Sequence, residues 1–80
     1  MAKKSPSFSG NTALVGLGVT IRAARKAKGL SQEALAELTD IDRSMGGIER
    51  GEHNLAIMSL LKISDALDMK ASSLLNEIDN

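Results

Sequence analysis

The sequence predicts an all-α fold, a compact bundle of five helices. Apolar residues recur at three- and four-residue steps in several separate stretches, and no run alternates with period two for long enough to make a strand. Capping residues and Gly stops divide those stretches at helix-sized intervals. Eighty residues allow one domain with a modest core, so burial against a second copy would help to stabilise it.

Residues 1–11 hold Lys, Ser, Pro and Gly around a lone Phe8, a composition that cannot bury enough apolar surface to order itself, so a flexible arm is expected there and the domain proper over 12–80. Asn11 or Thr12 is the expected cap of a first helix in which Leu14, Leu17, Ile21 and Ala24 repeat, with Gly29 as its stop after Lys28. Gly16 and Gly18 each weaken that helix by roughly 1 kcal/mol relative to Ala, which moves its expected firm start towards Gly18.

Ser31 is placed to cap a second helix from Gln32 to about Leu38, burying Leu35 and Leu38. A full capping box would need Glu or Gln at position 34, where Ala34 stands. Thr39-Asp40-Ile41 reads as a turn and Asp42 as the cap of a short third helix with Met45 and Ile48 inward and Gly51 at its end. Asn54 is the expected cap of a fourth helix carrying Ile57, Leu60, Leu61, Ser64 and Leu67. Ala71 to about Ile78 reads as a fifth, with Leu74, Leu75 and Ile78 along it.

Composition removes several functions. Without Cys there is neither a disulfide framework nor a thiolate metal site, and one His leaves no cluster for zinc or acid–base work. No metal, cofactor or catalytic set is implied, so an enzyme is the weakest reading. No apolar run approaches the ~20 residues of a bilayer span and the start lacks a signal-peptide core, so a cytoplasmic protein without a membrane partner is expected. With a single aromatic there is no stacking platform, which argues against RNA or single strands.

The net charge of zero hides a division. Positions 1–32 carry six Lys and Arg and no acid, whereas 33–80 carry ten acids against four cations, giving +6 and −6. Such segregation suits one face that meets phosphate and another that does not. Within it, Ser31-Gln32-Glu33-Ala34-Leu35-Ala36-Glu37, followed by Glu49-Arg50-Gly51, sits between a basic helix and an apolar one. That order reads as the middle of a helix-turn-helix that binds duplex DNA.

From Leu17 to Leu75, about three-quarters of the chain, the sequence resembles the Cro/C1 (Xre) family of helix-turn-helix regulators. The family opening "R-x-x-R-x-x-x-G-L-S-Q-E-x-L-A" is matched by Arg22 to Ala36, its "I-E-x-G" by Ile48 to Gly51, and its "N-x-x-x-x-x-L-x-x-I-x-x-A-L" by Asn54 to Leu67. The resemblance implies a lambda repressor-like domain acting as a homodimer on a pseudo-palindromic operator. It implies that Gln32 anchors the DNA backbone and buttresses the recognition helix, and that Glu49 pairs with Arg25 to fasten that helix to the scaffold. Arg43 and Ser44 would open the recognition helix, Arg43 as a base reader or as a phosphate contact. Arg50 suits either the helix end or a phosphate. Arg22, Gly46, Gly47, His53 and Asn54 complete the candidate DNA-facing set, and Leu74, Leu75 and Ile78 the candidate dimer interface, whose alternative is closure of the monomer core.

Three departures from the family pattern bear on the site. Asp40 and Asp68 stand where a turn Gly is usual, and Asp accepts a left-handed backbone less readily than Gly. Gly46-Gly47 costs a short helix roughly 1–2 kcal/mol in propensity, a cost that either close backbone approach to DNA or tolerance by the neighbouring helices would explain. From Gln32 to Gly51 the chain is one residue short, near Ser44-Met45 or in the turn, and one residue is about 100° of helix rotation, enough to swing Arg43 away from the groove. Either the turn is shortened or the string omits a residue.

Among functional classes, restriction–modification controllers are close in length and share a "G-I-E-R-x-x-x-N-L" segment with Gly47 to Leu55. The competing class is an antitoxin-type interaction module whose acidic half neutralises a basic toxin while its helix-turn-helix represses its own promoter.

Overall fold

The computed structural model describes residues 10–41 and 44–76. They form five helices: α1 Gly10–Ala27, α2 Gln32–Thr39, α3 Met45–Glu49, α4 Ile57–Ala66 and α5 Ala71–Asn76. No strand occurs among the described residues. α1 packs on α3 and α5, α2 on α3 and α4, and α4 on α5, so the five close around one core. That core is Leu17, Ile21, Leu35, Met45, Ile48, Leu60, Ile63, Leu67 and Leu74. No described helix is long and apolar enough to cross a membrane.

α1 runs without a break from Gly10, earlier than a cap at Asn11 or Thr12 would place it, and Gly18 does not mark its start. The rest of the expected arm, and Ile78, lie outside the described residues. Gly18 has a packing reason instead. Its absent Cβ would stand 2.3 Å from the Glu49 carbonyl oxygen, so only Gly lets α1 lie this close to the end of α3.

Ser31 caps α2 as expected, its Oγ accepting from the Ala34 N–H at 3.0 Å. At the other end Asp40 takes the left-handed cap, φ 52°, and donates its N–H to the Ala36 carbonyl. Asp68, one residue past the Leu67 cap of α4, is also left-handed at φ 55° and donates its N–H to the Asp65 carbonyl, so both turns keep the left-handed geometry with Asp in place of Gly. Leu38 is not buried but 63% exposed, and Thr39 takes its place against the core. The Thr39 hydroxyl donates to the Leu35 carbonyl at 2.8 Å, which satisfies it within the helix and lets a polar residue join the seam.

Two further caps differ from expectation. Ser44, not Asp42, caps α3, its Oγ accepting from the Gly47 N–H at 3.2 Å. α4 begins after Ala56 with no side-chain cap, and Asn54 lies two residues upstream in the connection. The buried seam of α4 is Leu60, Ile63, Ser64 and Leu67, which turns Ile57, Met58 and Leu61 outward. Both rows fit a helical period, and α2 and α5 select between them. Leu74 is fully buried in the monomer core rather than on an outer face, whereas Leu75 is 41% exposed.

Candidate nucleic-acid interface

Three helices meet at one carboxylate. Arg25 of α1 donates from Nε to Glu49 Oε2 at 2.6 Å and from Nη2 to Oε1 at 3.2 Å, a two-pronged pair, while Gln32 of α2 donates from Nε2 to the same Oε1 at 3.1 Å. Arg25 Nη1 reaches the Leu30 carbonyl at 2.7 Å. Arg25 and Glu49 are both buried, and no buried side-chain nitrogen or oxygen among the described residues lacks a partner. The hydrogen bond to Glu49, outweighing burial, raises the Arg25 pKa above its ordinary value. The expected Arg25–Glu49 pair is thus present, and Gln32 buttresses α3 through it. Together they fix the angle between the two helices of the helix-turn-helix.

The N-terminal ends of α2 and α3 open onto a groove of about 320 Å³ lined by Gln32, Glu33, Ala36, Ile41, Ser44, Met45 and Gly46. The register on either side of the short interval is intact, since Asp40 caps α2 while Met45 and Ile48 face the core. The expected shortening, near Ser44-Met45 or in the turn, lies across this interval. Asp42 and Arg43, in that interval, lie outside the described residues.

Gly46 and Gly47 are buried beneath polar side chains. A Cβ at Gly46 would stand 3.2 Å from Arg50 Nη1, 3.3 Å from Gln32 Oε1 and 3.6 Å from Ser44 Oγ. The His53 ring covers Gly47, with Nε2 only 2.5 Å from the Cβ position. Arg22 is exposed on α1, one turn before Arg25, and Asn54 is exposed in the connection to α4.

One member of the cluster escaped the sequence reading. Glu52 accepts from Arg50 Nε at 2.9 Å and Nη2 at 3.1 Å, in an exposed pair. That hydrogen bond, opposed by a smaller effect of burial, holds the Glu52 carboxyl below the usual carboxylate range, and its counterpart raises Arg50. The two meet because Gly51 between them takes φ 77° and reverses the chain. Residues two apart on a helix do not face each other, so spacing alone gives no signal.

Comparison with known proteins agrees with this geometry. A helix-turn-helix family model matches residues 21–74. The chain is similar to the control protein C.SmaI of Serratia marcescens, with 35% identity over 60 residues covering 74% of this chain and 71% of that protein. It is equally similar to the control protein C.MunI of Mycoplasma sp, with 35% identity over 71 residues covering 86% of this chain and 96% of that protein. Among solved structures it resembles the crystal structure of the restriction-modification controller protein C.AhdI from Aeromonas hydrophila. The TM-score is 0.75 and the identity 47%, over 79% of this chain and 97% of that one.

Proposed function

The chain belongs to the helix-turn-helix family of Cro/C1-type DNA-binding regulators, and from that premise we propose that it controls transcription in a restriction–modification gene cluster, binding a pseudo-palindromic operator as a homodimer. The observation that carries the DNA-binding mechanism is the sharing of Glu49 between Arg25 and Gln32. It makes α2 and α3 one rigid unit, so the recognition helix need not be ordered when it enters the major groove. The names of the relatives support the choice of a controller over an antitoxin-type module. A regulator that acts on bacterial duplex DNA would work in the cytoplasm.

Gln32 and the exposed cations of α1 would hold the backbone, with Ser44 and Arg50 near base edges. The homodimer is supported by apolar side chains exposed beyond what a small monomer needs, namely Leu75 on α5 and Ile57, Met58 and Leu61 on α4. Footprinting over the duplex upstream of the protein's own gene tests the reading. Two protected half-sites about one helical turn apart, roughly 34 Å, are expected. Protection of one isolated half-site, or none, would refute it.

A further inference from the structure

We propose that Arg50, oriented by Glu52, is a guanine-reading residue that serves a face of α3 where the helix has no side chains of its own. The inference rests on the duplex-binding function above and names a determinant of its sequence preference.

α3 has five residues. Met45 and Ile48 belong to the core, Glu49 is taken by Arg25 and Gln32, and Gly46 and Gly47 have no side chain. The helix body therefore offers nothing to read a base with. Into that bare position comes the Arg50 guanidinium, folded back along the helix so that Nη1 lies 3.2 Å from where a Gly46 Cβ would be. Gln32 Oε1 and Ser44 Oγ converge on the same point, at 3.3 Å and 3.6 Å. A Cβ at 46 would be tighter than an ordinary contact with Nη1, so the guanidinium would have to shift by a few tenths of an ångström to admit it.

Glu52 decides which edge of the guanidinium is offered. It binds the edge formed by Nε and Nη2, at 2.9 Å and 3.1 Å, leaving the edge formed by Nη1 and the second Nη2 hydrogen. Two parallel N–H donors held in a plane match guanine O6 and N7. Charge favours a base over phosphate here. The paired guanidinium is largely compensated by the Glu52 carboxylate, which weakens its pull on an anion but leaves its donor geometry unchanged. Glu52 is thus a positioning residue acting through Arg50.

The test selects preferred sites for the wild-type protein from a randomised duplex pool, then measures R50K, E52A and G46A on the best site and on single-base variants of it. R50K keeps the charge and loses the fork, so preference for guanine at one position of each half-site should fall about tenfold or more. Its binding to unrelated duplex should stay within about twofold, because the phosphate term depends on charge. E52A removes a carboxylate from a surface that faces phosphates, so it should bind all duplexes more tightly yet discriminate less at that position. G46A changes no charge and shifts the guanidinium by a few tenths of an ångström, so it should weaken the same preference by less than R50K does. The Arg50 and Glu52 side chains are 63% and 54% exposed, so the fold should survive, which circular dichroism checks. Equal changes on all sequences for R50K and E52A would make Arg50 a phosphate or helix-end residue and overturn the proposal alone. A wild-type chain with no sequence preference would overturn the functional reading as well.

Discussion

Gly18 and Glu49 meet backbone to backbone, with the Glu49 carbonyl oxygen 2.3 Å from the place a Gly18 Cβ would fill. Arg25, seven residues and two turns further along the same face of α1, holds the side chain of that same Glu49. α1 therefore grips the recognition helix at two points, one through an absent side chain and one through a long one.

Gly18→Ala should accordingly destabilise the domain. The forced separation of α1 and α3 costs about 1–3 kcal/mol, of which better helix propensity returns at most about 1 kcal/mol. Gly16, in the same helix, has nothing within 4 Å of its Cβ position, so Gly16→Ala should stabilise by up to about 1 kcal/mol. Urea unfolding of the two variants should give shifts of opposite sign. Shifts in the same direction would show that α1 does not press on α3 as described.

The second prediction concerns the buried pair. Glu49→Ala strands the Arg25 guanidinium in a buried site and should cost about 3–5 kcal/mol, enough to unfold much of so small a domain. Gln32→Ala removes one hydrogen bond to the same carboxylate at a partly exposed residue and should cost about 1 kcal/mol. Replacing Arg25 and Glu49 together by apolar residues should cost less than removing Glu49 alone, because no charge is left behind. A chemical-denaturation cycle in which the effects simply add would remove the pair from the account.

How far the sequence carried depends on whether a residue's role is local. Ser31 as a cap, Gly51 as a stop and the inward pair Met45 and Ile48 depend on neighbours within a turn or two, and they were legible. The Arg25–Glu49 pair was legible only through the family resemblance, since its partners are 24 residues apart. The choice of Ile63 over Ile57 and Leu61 as the buried row of α4 was not, because both rows satisfy the helical period and only α2 and α5 decide between them. Ser44 caps α3 where Asp42 was expected, and residue type could not have separated them, since Ser and Asp are comparably good caps. Gly18 read as a weakness because propensity counts the helix alone, whereas its value lies in the Glu49 backbone that passes where a Cβ would stand. Glu52 was invisible since only the left-handed Gly51 brings it beside Arg50.

Salt should weaken DNA binding steeply. The cations before residue 33 carry no acid among them, and Arg22, Lys26 and Lys28 are exposed on or just after α1. Each phosphate neutralised contributes about −0.9 to the log–log slope against salt concentration, so a slope of several units is expected. Fluorescence anisotropy with a labelled duplex measures it. A slope near zero would mean that this cationic face does not meet DNA.

The Glu52 carboxyl should titrate below the usual Glu range, since the hydrogen bond from Arg50 favours its ionised form. A group lowered in this way contributes its pairing in full above the unfolded pKa and loses it as the pH falls through the lowered folded value. The Arg50–Glu52 pair should thus be intact at neutral pH and open only in acid. NMR titration of the Glu52 side-chain carbonyl carbon tests this, with Arg50→Ala expected to return the midpoint to the ordinary range. A midpoint that Arg50→Ala leaves in place would show that Arg50 does not hold the carboxylate.

The dimer prediction divides the fifth helix in two. Leu74 has no exposed surface and fills the core with Leu60, Ile63 and Leu67, so Leu74→Ala should destabilise the monomer by about 2–5 kcal/mol whether or not a partner is present. Leu75 is 41% exposed one position on, and Leu75→Asp should leave the monomer folded while weakening association. Ile57 and Leu61, one turn apart on α4, form the second exposed apolar pair, and the double substitution Ile57→Asp with Leu61→Asp distinguishes that face from α5. A dimer would place two recognition helices on one duplex and convert a modest half-site affinity into operator binding, so whichever variant prevents dimerisation should also lose operator affinity by a factor of about a hundred or more. Sedimentation velocity and anisotropy on the same samples read both quantities. A wild-type protein that stays monomeric at tens of micromolar, or a Leu75→Asp variant that still dimerises and binds the operator as tightly as wild type, would remove α5 from the interface.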